Sequence, residues 1–244
     1  MKPIFRVAVS IGIALISPLA SAGEWGLGVA LAYYQPPLNG IEREFIGLPY
    51  ITYQNEHLNI DLTTVSYTLL KSGKTQTSIV GEVRFEGYDP KDSPALTGMK
   101  KRNPSFDAGI SVARPGMGGE LQMMILGDIT GTHEGYEARA QYQRPYILNR
   151  LLIAPAVGIS WLDDALADYY YGVRSNEATS TRTRYAGNST TNTFIELAVG
   201  YAFDGRLELL GGVKAVRLGR NIEASPIVDK KYDTSAFSAL LYKF

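Results

Sequence analysis

The residues with the widest chemical repertoire are few, because the chain carries two histidines and no cysteine. His57 lies in "EHLNID", and on an extended chain it falls two pleats from Asp61, so a carboxylate could orient its imidazole as a general base. No serine is placed beside it by spacing, and two-residue alternation produces this separation by itself. The expectation is a histidine hydrogen-bonded to polar neighbours. His133 falls in the turn-like "TGTHEG", where an exposed histidine is ordinary. Asp163 and Asp164 form a doublet beside Trp161, which lacks the spaced oxygen ligands of a calcium loop. Without cysteine there is no thiolate metal site and no disulfide framework, and no phosphate loop, zinc spacing or nucleophile elbow occurs. The sequence assigns no catalytic residue, no metal and no cofactor.

The elements around these residues read as strands. In "EWGLGVALAYY", Trp25, Leu27, Val29, Leu31 and Tyr33 alternate with Gly26, Gly28, Ala30 and Ala32, a period-two pattern with one apolar face. The alternation returns in "EHLNIDLTT", in "TSIVGEVRFEG" and in "EGYEARAQYQR", where Tyr136, Ala138, Ala140 and Tyr142 oppose Glu137, Arg139, Gln141 and Gln143. It continues through "NRLLIAPAVGISW", "TFIELAVGYAF" and "RLELLGGVKAV". Turn signals separate the runs, among them "KSGK", "PGMGG" and the hairpin dipeptide Asp204-Gly205. The count predicts an all-β, transmembrane antiparallel β-barrel of about twelve strands. A soluble β-sandwich also alternates, but strands of about ten residues, apolar faces ending in Tyr or Trp, and charged opposite faces favour the membrane barrel.

Both ends of the chain agree. "MKPIFRVAVSIGIALISPLASA" sets Lys2 and Arg6 before a short apolar run and Ala20-Ser21-Ala22, which reads as a signal peptide over residues 1–22, leaving one barrel domain over 23–244. The run falls short of the roughly 20 apolar residues of a spanning helix. At the other end, "AFSALLYKF" places Leu240, Tyr242 and Phe244 on one face. It reads as a closing strand that pairs with "WGLGVALAYY" and faces outer-membrane lipid. With 24 basic and 24 acidic residues the chain offers no strongly basic surface, so nucleic acid is not an expected partner.

The polar faces carry Glu82, Arg84, Glu86, Glu120, Glu137, Arg139, Glu196, Arg206, Glu208 and Lys214. Interleaved signs pair across a lumen more readily than they form a selective ring, which predicts a narrow or plugged interior. With both termini in the periplasm, parity puts Asp204-Gly205 on that side and the segments 174–192 and 219–234 outside. Parity also puts the long segment 87–105 in the periplasm. That is anomalous for its length unless a strand is missed near Ser66 to Thr75. On the periplasmic reading, Lys100, Lys101 and Arg102 would form a basic patch with Leu96 and Met99 as an apolar anchor for a partner.

Separated motifs add a resemblance. "DYYYGV" at 168–173 with Glu177, "SPIVDK" at 225–230, "LTGMKKR" at 96–102 and the closing "YKF" resemble the MipA/OmpV family. The resemblance implies an outer-membrane barrel without an enzymatic activity, whose Leu240, Tyr242 and Phe244 are read by the barrel-insertion machinery. It implies an adaptor role too, joining a lytic murein transglycosylase to a bifunctional penicillin-binding murein synthase. The alternative is a narrow channel or surface-exposed envelope barrel without a murein partner.

Overall fold

The computed structural model describes residues 23–244; the expected signal peptide, residues 1–22, lies outside them. The strands are β1 (Glu24–Gln35), β2 (Glu44–Gln54), β3 (Leu58–Ile60), β4 (Thr64–Ser72), β5 (Thr75–Arg84), β6 (Ser105–Gly116), β7 (Gly119–Asp128), β8 (Tyr136–Gln143), β9 (Tyr146–Leu148), β10 (Leu151–Leu162), β11 (Thr190–Ala202), β12 (Leu207–Arg217) and β13 (Tyr232–Lys243). β8 and β9 both pair with β10, at Ala156–Leu162 and at Leu151–Ile153, and the chain breaks between them at Arg144 and Pro145. They form one interrupted stave, so thirteen segments make a closed antiparallel barrel of twelve staves. β1 closes the ring on β13, with Gly26 opposite Lys243 and Gln35 opposite Thr234. Among the described residues no helix is long and apolar enough to cross a membrane.

Alternation sorts the side chains. Leu27, Val29, Leu31, Ile125, Val157, Ile195 and Val213 stand exposed on the outer surface, as a lipid-facing wall requires. Aromatic rings bound this wall at both ends. Trp25 lies 4.6 Å from Tyr53, and Tyr242 lies 5.2 Å from Phe244, near the chain termini. Tyr33 lies 5.1 Å from Phe45 at the opposite end. From Gly26 to Ala32 the inward positions on β1 are small, and at Gly28 the ladder leaves no room for a side chain: a Cβ there would lie 2.0 Å from the Leu240 carbonyl oxygen.

The two ends differ in their connections. At the terminus end the links are tight, as at Asp204, whose side chain accepts from the N–H groups of Arg206 and Leu207, both at 2.7 Å. At the far end lie the long segments, with α1 (Asp164–Tyr171) and α2 (Arg220–Glu223). Short turns mark the periplasmic side of such barrels and longer loops the outer side.

The periplasmic position expected for 87–105 is corrected here. The run "EHLNIDLTT" is not one strand: β3 ends at Ile60, the chain reverses, and β4 pairs back with Val65 opposite Ile60. A bulge between Thr68 and Leu70 then breaks the alternation of β4, which hid this strand from a two-residue pattern. The added strand moves 87–105 to the far, outer end. With no native cysteine, a single Lys100→Cys should react with a membrane-impermeant maleimide on intact cells. Asp204→Cys should react only after the outer membrane is permeabilised; the opposite pattern contradicts this topology.

Candidate functional site in the capped lumen

Three layers fill the interior. Near the terminus end, Tyr50, Leu210 and Leu241 are buried with Ala30 and Ala239, and Phe237 packs against them. Tyr50 donates to Asp61 Oδ1 at 2.7 Å, so the phenol has a partner in an otherwise apolar layer.

Above it lies a buried ion network carried on β5, β6 and β8. Arg84 donates through Nε to Asp107 at 2.8 Å, through Nη2 to Glu137 at 2.5 Å and through Nη1 to Glu86 at 3.2 Å. Arg139 donates through Nε to Glu137 at 3.0 Å and through Nη1 and Nη2 to Glu82 at 3.1 and 3.2 Å. The interleaved signs expected from the sequence thus pair across the lumen. Arginine suits this role because its planar fork satisfies several carboxylates at once. A cavity of about 80 Å³ remains beside the network, lined by Arg84, Glu86, Arg139, Lys214 and Asp233 with Tyr171.

The third layer is a cap built by the far-end segments. Leu38, Leu96, Met99, Leu166, Val173 and Ile227 bury against one another there. Asp163 caps α1 by accepting from Leu166 N–H at 2.9 Å, and the helix then turns Leu166, Ala167, Tyr170 and Tyr171 inward. A second buried ion pair fastens the cap: Arg102 and Glu177, each with side chains 1 % exposed, meet through Nη1 at 3.0 Å and Nη2 at 2.9 Å. Arg102 also donates to the Tyr169 carbonyl at 2.5 Å and packs over the rings of Tyr88 and Tyr169. Burial opposes ionisation of Glu177, but the Arg102 guanidinium and the N–H groups of Arg174 and Lys100 outweigh it and hold the carboxyl down at about 2. Ser225 donates to the Tyr171 carbonyl at 2.6 Å. The sequence motifs at 96–102, 168–177 and 225–230 therefore converge on one structure.

The histidines fall differently from the sequence reading. His57 occupies an exposed turn, its ring 5.9 Å from that of Tyr67, while Asp61 serves Tyr50 and the Leu62 N–H; they are not brought together as a base and its orienter. His133 is buried rather than exposed. Its Nδ1 accepts from Gly135 N–H at 3.0 Å, which leaves Nε2 protonated to donate to Asp107 at 3.1 Å. Asp107, Asp128 and His133 are close enough to suggest a metal site. Their ligand atoms are committed, however, since Asp128 accepts from the N–H groups of Thr130, His133 and Glu134. The two-residue pattern could not find this network, because Asp107 and His133 meet only through the β5–β6–β7 ladder and its adjoining loop.

The five residues expected to bind a partner do not share one exposed surface. Leu96, Met99 and Arg102 are buried in the cap, where the added strand and the Glu177 pair put them, and Lys100 and Lys101 alone are exposed. Leu240, Tyr242 and Phe244 do share the outer face, and Phe244 N–H donates to the Trp25 carbonyl at 2.9 Å.

Comparison with known proteins places this architecture. The family model described as "MltA-interacting protein MipA" matches residues 26–244. The chain is similar to the MltA-interacting protein of Escherichia coli (strain K12), at 24% identity and covering 100% of each chain. It is likewise similar to outer membrane protein OmpV of Vibrio cholerae, at 24% identity over 91% of this chain and 87% of the relative. An outer membrane channel from Pseudomonas putida F1 shares the fold at 9% identity and a TM-score of 0.51, covering 97% of this chain and 100% of that one.

Removing one partner of a buried network strands the others. Arg84→Ala should lower barrel stability by about 3–5 kcal/mol, read by urea unfolding in lipid vesicles. An unchanged midpoint contradicts the paired network. The cap should respond to acid: ionised Glu177 stabilises it above the ordinary carboxylate range, and this contribution is lost as pH falls from about 4.5 towards 2. Hydrogen exchange at residues 96–102 should rise over that window, and Glu177→Gln should remove the pH step.

Proposed function

Because the chain belongs to the MltA-interacting protein family, we propose that it is an outer-membrane scaffold whose periplasmic rim holds a lytic murein transglycosylase beside a bifunctional penicillin-binding murein synthase, with no chemistry of its own. The observation that carries this reading is the filled lumen. An apolar layer, an ion network and a cap succeed one another along the barrel axis, so the molecule offers surfaces rather than a path. The ligand atoms grouped at His133, Asp107 and Asp128 are spent on structure, which supports a role without turnover.

The rim supplies contacts of the kind that anchor protein partners. Met117 at 88 % exposure and Ile147 at 63 % stand at the terminus end, with Arg144 stacked on the Tyr146 ring at 5.3 Å. Exposed apolar side chains beside arginine and tyrosine are typical anchors. The cavity favours a second reading, a narrow channel, but the Tyr50, Leu210 and Leu241 layer lies below it.

Replacing Met117 and Ile147 together by Asp should abolish co-recovery of murein synthase and transglycosylase with the barrel. Undiminished recovery from a correctly inserted double variant overturns the docking site. The outer face of β13 supports a further reading, that Leu240, Tyr242 and Phe244 carry the signal for the insertion machinery. Deleting Phe244 should then lower the yield of heat-modifiable, membrane-inserted barrel, whereas a normal yield excludes that role for it.

A further inference from the structure

The cavity beside the ion network carries more negative charge than its walls neutralise. Arg84 and Arg139 are matched by four carboxylates, Glu82, Glu86, Asp107 and Glu137. Asp233 and Lys214 also line the cavity and add one charge of each sign. Among the described residues the excess is therefore two negative charges (four minus two). The Lys214 ammonium is turned onto the Phe194 ring, 4.7 Å from its centroid. Buried charge is costly unless a counter-charge meets it. Water alone would hydrate the polar groups and leave the excess uncompensated.

The uncommitted oxygens show what could meet it. Glu86 Oε1 accepts from Arg84 at 3.2 Å and Asp233 Oδ2 from Tyr34 at 3.0 Å, and each carboxylate keeps a second oxygen with no donor among the described residues. Three hydroxyl-bearing side chains line the same cavity: Ser160 on β10, Tyr171 at the end of α1 and Ser235 on β13, at 6 %, 8 % and 8 % exposure. None of these hydroxyls has a hydrogen-bond partner among the described residues, and strand alternation turns Ser160 and Ser235 into the lumen. The available donors are all oxygens, with no histidine or sulfur among the lining residues, which suits a hard cation. Their spread over four elements suits the loose, high-coordination geometry of calcium better than the fixed octahedron of magnesium. A volume of about 80 Å³ holds such an ion with roughly two or three waters.

We propose that this cavity binds one calcium ion between Glu86 and Asp233, with the hydroxyls of Ser160, Tyr171 and Ser235 and ordered water in its oxygen shell. The Glu86 side chain, 30 % exposed, marks the mouth of the site. Tyr171 belongs to the cap and Asp233 to the wall, so the ion fastens one to the other. The site is independent of the scaffold reading, since it uses the lumen under the cap rather than the periplasmic rim.

The test uses the barrel purified from outer membranes in neutral maltoside micelles, stripped with EDTA and titrated calorimetrically with calcium chloride at neutral pH. Saturable binding of one ion per barrel is expected, with hydrogen exchange over residues 164–171 slowing as it binds. Asp233→Asn should weaken binding by roughly tenfold or more, the loss of one charge-assisted contact. Glu86→Gln provides a second variant should Asp233→Asn fail to insert, and heat-modifiable mobility reports folding of each. Absence of saturable binding overturns the site, as does an isotherm unchanged from the wild type in a folded variant. Asp128→Asn should leave the isotherm as it is; loss of binding in that variant instead puts the ion at Asp107, Asp128 and His133 and overturns the assignment. Equal affinity for magnesium chloride overturns the choice of calcium.

Discussion

Within a bilayer every backbone N–H and C=O must find its partner inside the protein, and this constraint organises the whole molecule. Ladders satisfy it by closing, so the first strand must find the last, as Leu27 does with Tyr242 and Leu31 with Ser238. Closure fixes which side chains face lipid and which face the lumen, since a shift of one residue would exchange the two sets. Bulky apolar side chains accordingly line the outside, and the lumen receives small residues, one apolar layer around Tyr50, Leu210 and Leu241, and charges that must then be matched.

How those charges are matched determines the character of the interior. Taking an arginine out of water is costly unless several acceptors surround it. Arg84 and Arg139 meet four carboxylates, while Arg102 in the cap meets Glu177, the Tyr169 and Lys100 carbonyls and two aromatic faces. The networks serve different ends: the first ties strands across the lumen, and the second holds the outer segments over it. The barrel and its cap thus use the same chemistry at two heights.

Much of this was legible in the sequence because alternation is local. The outer faces of β1, β10, β11 and β13 follow from their residues alone, and so do the pairing of the terminal strands and the far-end position of segments 174–192 and 219–234, although neither helix was legible. The family resemblance also rested on segments that meet in space. What escaped were features set by long-range contact. A bulge at Thr68 to Leu70 concealed β4, and with it the side on which Leu96 to Arg102 lie. His133 looked like a turn residue, yet the ladder brings Asp107 beneath it. Arg102 looked like part of a basic patch, because nothing near it in sequence announces Glu177 as its partner.

A chain of this family in the outer membrane, with a filled lumen and a fastened cap, is a platform whose working surfaces are its rim and wall. Planar-bilayer recording of the purified barrel tests that most directly. A platform gives no stepwise current at any applied potential, whereas regular single-channel steps from the intact protein would show an open axial path and contradict it.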